Sequence, residues 1–89
     1  MNVIKRDGRI QELDIEKLRL SILNASIDSK NILNESDLKI LSDELIGVIK
    51  ELRGKDGYTS SYEITAVTLY VLKKQGFNDI AREYMNFNK

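Results

Sequence analysis

The sequence predicts a mainly helical domain: a four-helix bundle capped by a small three-stranded β-sheet, formed by an N-terminal hairpin plus one short strand. Three observations carry that expectation. Asp7-Gly8 separates two short extended runs near the N-terminus. The remainder divides into segments with apolar residues at helical spacing, opened by capping residues and in two cases closed by glycine. The 89 residues, 42% hydrophobic and 31% charged, suffice for one modest core, so residues 1–89 are expected to be a single domain.

The elements follow in order. Asp7-Gly8 is the two-residue signal of a type I′ turn, whose central residues both need positive φ. Asn2 to Arg6 would then pair with Arg9 to Leu13. Asp14 is placed to cap a first helix from Ile15 to about Ile27, with Leu18, Ile22 and Ala25 turned inward. After polar, turn-like residues 28–35, Asn34 or Ser36 can cap a second helix. Its stripe, Leu38, Leu41, Leu45, Val48, Ile49 and Leu52, is the clearest helical period in the chain, and Gly54 ends it. Gly54-Lys55-Asp56-Gly57 reads as an exposed loop, and Tyr58-Thr59 as a short third strand. Ser60 and Glu63 have capping-box spacing before a third helix burying Ile64, Val67, Val71 and Leu72, which Gly76 terminates. Asn78 is expected to cap a last helix bearing Ile80, Ala81, Tyr84 and Met85, with Phe87 near its end. Tyr62, Tyr70 and Tyr84 read as packing residues.

Composition removes several chemistries. Without cysteine there is no disulfide, thiol nucleophile or cysteine zinc site, and without histidine the commonest general base and metal ligand are gone. No catalytic residue and no metal ligand is assigned, and an enzyme is not expected. Fourteen basic and fourteen acidic residues leave no large basic surface for nucleic acid. No apolar run is long enough to span a membrane, and Met1 to Arg6 lacks the apolar core of a secretory signal, which places the chain in the cytoplasm. A Gly-x-x-x-x-Gly-Lys loop is absent, so nothing here assembles a P-loop hydrolase.

One local cluster suits an anion. In the expected register Arg6 faces Arg9, and like charges opposed across strands disfavour pairing by up to about 1 kcal/mol. A polyanion would turn that repulsion into shared attraction, with arginine forks matching phosphate oxygens. Screening by Asp7, Glu12 and solvent is the plainer alternative. Lys17 lies in the first turn of the first helix, where its charge opposes the helix dipole unless a phosphate sits nearby. Ser61 and Thr65, one turn apart, offer hydroxyls, although such pairs are also common on surfaces.

Val3-Ile4-Lys5-Arg6-Asp7-Gly8-Arg9, then Leu13-Asp14 and Glu16-Lys17-Leu18, resemble the opening of the ATP-cone domain. That domain stands at the N-terminus of many ribonucleotide reductases and in the bacterial repressor of reductase genes. The likeness continues through Ser60 to Ile64 and ends in Ala81-Arg82-Glu83-Tyr84. It implies ATP or dATP between sheet and helices, with or without Mg2+ on the phosphates. Lys5 and Arg6 would hold phosphates beside Lys17; Gln11, Leu13, Asp14 and Leu18 would border base and ribose; Ser61 and Thr65 would face the pocket. Arg9 joins this set on the charge argument alone. Gln11 stands where glutamate is common and Leu13 where phenylalanine is frequent, implying a weaker polar contact and looser packing on the base.

The expected role is therefore a free-standing regulatory module that reads ATP against dATP and signals by self-association, or through a partner in trans such as a reductase or its transcriptional control. The rival is a degenerate cone, a helical protein–protein interaction module without nucleotide, which Gln11 and Leu13 favour.

Overall fold

The chain begins its helices where a side chain can replace a missing backbone partner. In the computed structural model, which describes residues 1–54 and 57–87, Asp14, Asn34 and Ser60 each accept the N–H three residues on, from Lys17 (3.1 Å), Asp37 (2.8 Å) and Glu63 (3.1 Å). These caps open α1 (Ile15–Asp28), α2 (Glu35–Arg53) and α3 (Ser61–Lys74). The strands are β1 (Asn2–Ile4), β2 (Ile10–Glu12) and β3 (Tyr58–Ser60), and α4 covers Asn78–Phe87. Lys55 and Asp56, in the loop expected after α2, lie outside the described residues, as does the side chain of Phe87.

The architecture is the expected one, four helices capped by a three-stranded sheet of order β2-β1-β3. Central β1 pairs antiparallel with β2 and parallel with β3, so β3 carries the sheet directly into α3.

The hairpin corrects the expected turn. Pairing of Val3 with Gln11 and Ile4 with Ile10 puts Lys5, not Arg6, opposite Arg9. Lys5 N–H donates to the Arg9 carbonyl (2.7 Å), and Gly8 N–H to the Lys5 carbonyl (3.0 Å), enclosing a loop of Arg6, Asp7 and Gly8. Only Gly8 takes positive φ there, at 87°. A type I′ turn would force Asp7 to positive φ as well, at a cost of roughly 1–2 kcal/mol. Instead Asp7 Oδ1 accepts the Arg9 N–H (3.1 Å) two residues on, an Asx turn that needs no such strain. The one-residue difference decides which side chains face the helices, because neighbouring positions point to opposite faces.

Beneath the sheet Ile22, Leu45, Ile49, Val71, Leu72 and Ile80 are fully enclosed. Ser26, Ser42 and Thr68 are buried with them, their hydroxyls donating to the carbonyls of Leu23 (2.7 Å), Lys39 (3.1 Å) and Ile64 (2.7 Å) one turn earlier. Three other expectations need correction. Leu52 and Met85 are exposed, the first despite its place in the stripe. Tyr62 and Tyr70 are exposed as well, leaving Tyr84 as the packed one of the three tyrosines. Asn78 is already the first residue of α4, and the Phe77 carbonyl accepts from Ala81 N–H (2.9 Å) to start that helix.

Two ion pairs tie α2 to α3. Lys74 Nζ and Gln75 Nε2 grip Glu44 at 2.8 and 2.6 Å and hold its carboxyl below the ordinary 4.5. Arg53, aided by Thr59, does the same to Glu63. A depressed folded-state value means stability that is fully present above about 4.5 and lost as pH falls through the lower folded values. Thermal melts are expected to be level down to about pH 5 and to fall below that. The Glu44→Gln/Glu63→Gln double variant should melt lower near neutrality and show a shallower acid slope. An unchanged slope would remove these pairs from the acid response.

Candidate functional site

A cavity of about 630 Å³ opens where the sheet meets α1, α3 and α4. That volume falls in the usual range for a small-molecule site. Val3 of β1 with Lys5 just after it, and Gln11 and Glu12 of β2, form one wall; Leu13, Asp14, Lys17, Leu18 and Ser21 form the second. Ser61, Ile64 and Thr65 of α3 form the third, and Tyr84 of α4 contributes from the core.

Local rules explain each wall. The observed hairpin register sends Val3, Lys5 and Gln11 to the same face, toward the helices. Asp14, Lys17, Leu18 and Ser21 recur at helical spacing, so one side of α1 presents all four. Ser61, Ile64 and Thr65 do the same on α3. Both helices begin at the cavity, so two positive dipole ends converge on it.

Charges of both signs line the site: the ammonium groups of Lys5 and Lys17 and the carboxyl groups of Glu12 and Asp14. Lys5 and Lys17 reach it from different walls, and neither ammonium has a carboxylate within ion-pair distance among the described residues. Lys17 sits in the first turn of α1, where the dipole disfavours a cation. Leu18, Leu13, Ile64 and the Tyr84 ring supply apolar surface alongside. The cavity is therefore amphipathic, with charged side chains and helix ends on one hand and hydrocarbon on the other.

Of the residues proposed from sequence, Lys5, Gln11, Leu13, Asp14, Lys17, Leu18, Ser61 and Thr65 line this cavity. Arg6 and Arg9 do not. Arg9 Nε is bound to Asp7 Oδ2 (2.6 Å) at the exposed hairpin tip, so screening by Asp7 accounts for its charge. The Arg6 guanidinium lies over the Tyr62 ring, 5.5 Å from its centroid. Thr65 donates its hydroxyl to the Ser61 carbonyl (3.0 Å), which leaves its oxygen as an acceptor only.

Five lining residues escaped the sequence reading: Val3, Glu12, Ser21, Ile64 and Tyr84. Ser21 and Ile64 were reachable by carrying the faces of Lys17 and Ser61 one turn onward. Val3, Tyr84 and Glu12 carry no such signal, because the first two look like core and Glu12 like an ordinary strand carboxylate. Among the described residues no group of three acidic side chains is placed to hold a metal ion, and no helix is long and apolar enough to cross a membrane.

A second concavity of about 450 Å³ lies between α1 and α2, around Leu20, Leu23 and Leu38. Its rim mixes charges of both signs, and Arg19 there is already held by Glu16 (3.0 Å) and Ser42 (2.9 Å).

Compared with known families, the chain matches the ATP cone domain over residues 1–89. No curated protein gives a significant match.

Proposed function

We propose, from the premise that this chain belongs to the ATP-cone family and is thus a nucleotide-binding regulatory module, that it binds ATP or dATP in the cavity beneath the sheet without hydrolysing it. The observation that carries this reading is the pair of ammonium groups, Lys5 and Lys17, that have no ion-pair partner among the described residues and line one amphipathic cavity beside two helix N-termini. A triphosphate satisfies both lysines and both dipoles at once. The adenine then lies against Leu13, Leu18 and Ile64, and Gln11 with Glu12 reaches the ribose hydroxyls. Mg2+, where it accompanies the nucleotide, rides on phosphate oxygens and water rather than in a protein cage.

Turnover needs a positioned base or metal for the attacking water, and the chain has neither histidine nor a P-loop lysine to begin such a site. Occupancy itself is the signal. The module transmits it in the cytoplasm by altering association with a second copy, or with a partner such as a reductase or its transcriptional control.

Calorimetric titration with ATP and with dATP tests the reading, joined by thermal melts and by chromatography of the nucleotide after long incubation. Nucleotide at one hundred times its dissociation constant is expected to stabilise the fold by about 2.7 kcal/mol, with the triphosphate recovered intact. No heat and no stabilisation at millimolar nucleotide would overturn it. That null result would favour the second reading, an interaction module that has lost its ligand. One observation supports this rival: both departures from the family pattern, Gln11 and Leu13, fall on the cavity wall.

A further inference from the structure

The lid and the helical floor of the cavity meet at one covalent joint on the α3 side. There β3 ends at Ser60 and α3 starts at Ser61 with no loop between. Lys5 follows directly on β1, whose Val3 pairs with Thr59 of β3, while Ser61 and Thr65 lie just beyond the joint. The spacing between Lys5 and these hydroxyls therefore depends on how firmly β3 is held against the first turn of α3.

Glu63 is positioned to do that holding. In a reciprocal capping box its carboxylate would turn back to the Ser60 N–H. Here only the first half forms, from Glu63 N–H to Ser60 Oγ (3.1 Å). The carboxylate is used otherwise: Oε1 accepts the Thr59 hydroxyl (2.8 Å), and both oxygens accept from Arg53 Nε (3.0 Å each) at the end of α2. Three elements thus converge on one side chain. Thr59 is 2% exposed and the Glu63 side chain 17%, so the carboxylate is sheltered on the β3 side, while the Arg53 side chain, 51% exposed, closes it from the solvent side. Gly57 lies beside the same arrangement, since a Cβ there would meet the Arg53 carbonyl and no side chain would fit. Glu63 itself does not line the cavity.

We propose that Glu63, clamped between Arg53 and Thr59, is a positioning residue that fixes the sheet over α3 and so sets the width of the nucleotide cavity. This rests on the nucleotide-binding reading above. Because Glu63 does not line the cavity, loosening it acts on affinity only through the lid.

The test compares the unsubstituted protein with Glu63→Gln, Arg53→Gln and, as a control, Asp43→Asn, which cuts the exposed Lys39–Asp43 pair far along α2. ATP affinity is measured by calorimetry and amide hydrogen exchange by NMR. Glu63→Gln and Arg53→Gln are expected to weaken ATP about tenfold and to speed exchange in the β1–β3 ladder much more than in the core amides of α4. Asp43→Asn should bind like the parent. Affinity within twofold of the parent in both clamp variants overturns the proposal and leaves the nucleotide reading standing. An affinity loss matched by equally faster exchange in α4 also overturns it, since the fold as a whole would then be loosened. Absence of binding in the parent defeats the reading itself, and the positioning role with it. Should Glu63→Gln fail to fold, Arg53→Gln cuts the same fork from its exposed side and decides the question.

Discussion

Replacing Lys5 and Lys17 together with alanine is expected to weaken ATP and dATP binding at least a hundredfold while leaving the melting temperature nearly unchanged. Each ammonium–phosphate contact contributes about 1.5–3 kcal/mol, so two lost contacts remove roughly 3–6 kcal/mol of affinity. The fold should not notice. Neither lysine has an ion-pair partner to lose among the described residues. Lys17 opposes the dipole of α1, and Lys5 faces Arg9 across the strands, so neutralising them removes two unfavourable interactions of a few tenths of a kcal/mol each. The comparison that gives this force is Arg6→Ala and Arg9→Ala. Those cations lie outside the cavity, and their removal should change affinity only a few-fold through long-range charge. Calorimetry on the three variants ranks them. Equal losses from Arg9→Ala and from the double variant would move the phosphates out of the cavity and onto the hairpin tip.

Much of this site could be read from the sequence, because its determinants are local. The cap at Asp14 fixes where α1 begins, and with it the side on which Lys17 and Leu18 emerge. Ser60 does the same for Ser61 and Thr65 on α3. What escaped depends on contacts that spacing does not encode. Asp-Gly reads as a two-residue turn until the Asp7 carboxylate is seen capturing the Arg9 N–H, and that single hydrogen bond moves Arg6 off the position opposite Arg9. Ser26, Ser42 and Thr68 look like surface residues in a linear reading. Their burial is tolerated because each hydroxyl finds a carbonyl in its own helix. Glu63 has the spacing of a capping box, yet the carboxylate goes to Arg53 and Thr59, which only the return of β3 beside the end of α2 brings within reach.

The last turns of α2 carry the second large effect. Ile49 and Leu52 lie one turn apart on the same apolar stripe, yet Ile49 is 0% exposed and Leu52 61%. Both lie in the half of α2 that runs along α3, which the Glu44–Lys74 and Arg53–Glu63 pairs bracket, so burial and not place along the helix separates them. Truncating a fully enclosed isoleucine to alanine costs about 2–5 kcal/mol, in transfer free energy and in the void left behind. In a domain of this size that lowers the melting temperature by roughly 10 °C or more. Ile49→Ala should therefore lie close to unfolding at physiological temperature, since small domains have only about 5 kcal/mol or little more to lose. Leu52→Ala should stay within about 0.5 kcal/mol of the parent. Urea titration of both variants, at two protein concentrations, measures the difference. A large cost at Leu52 that grew with protein concentration would show that another copy covers the last turn of α2 in solution. A large cost independent of concentration would instead mean that the turn packs back onto its own chain.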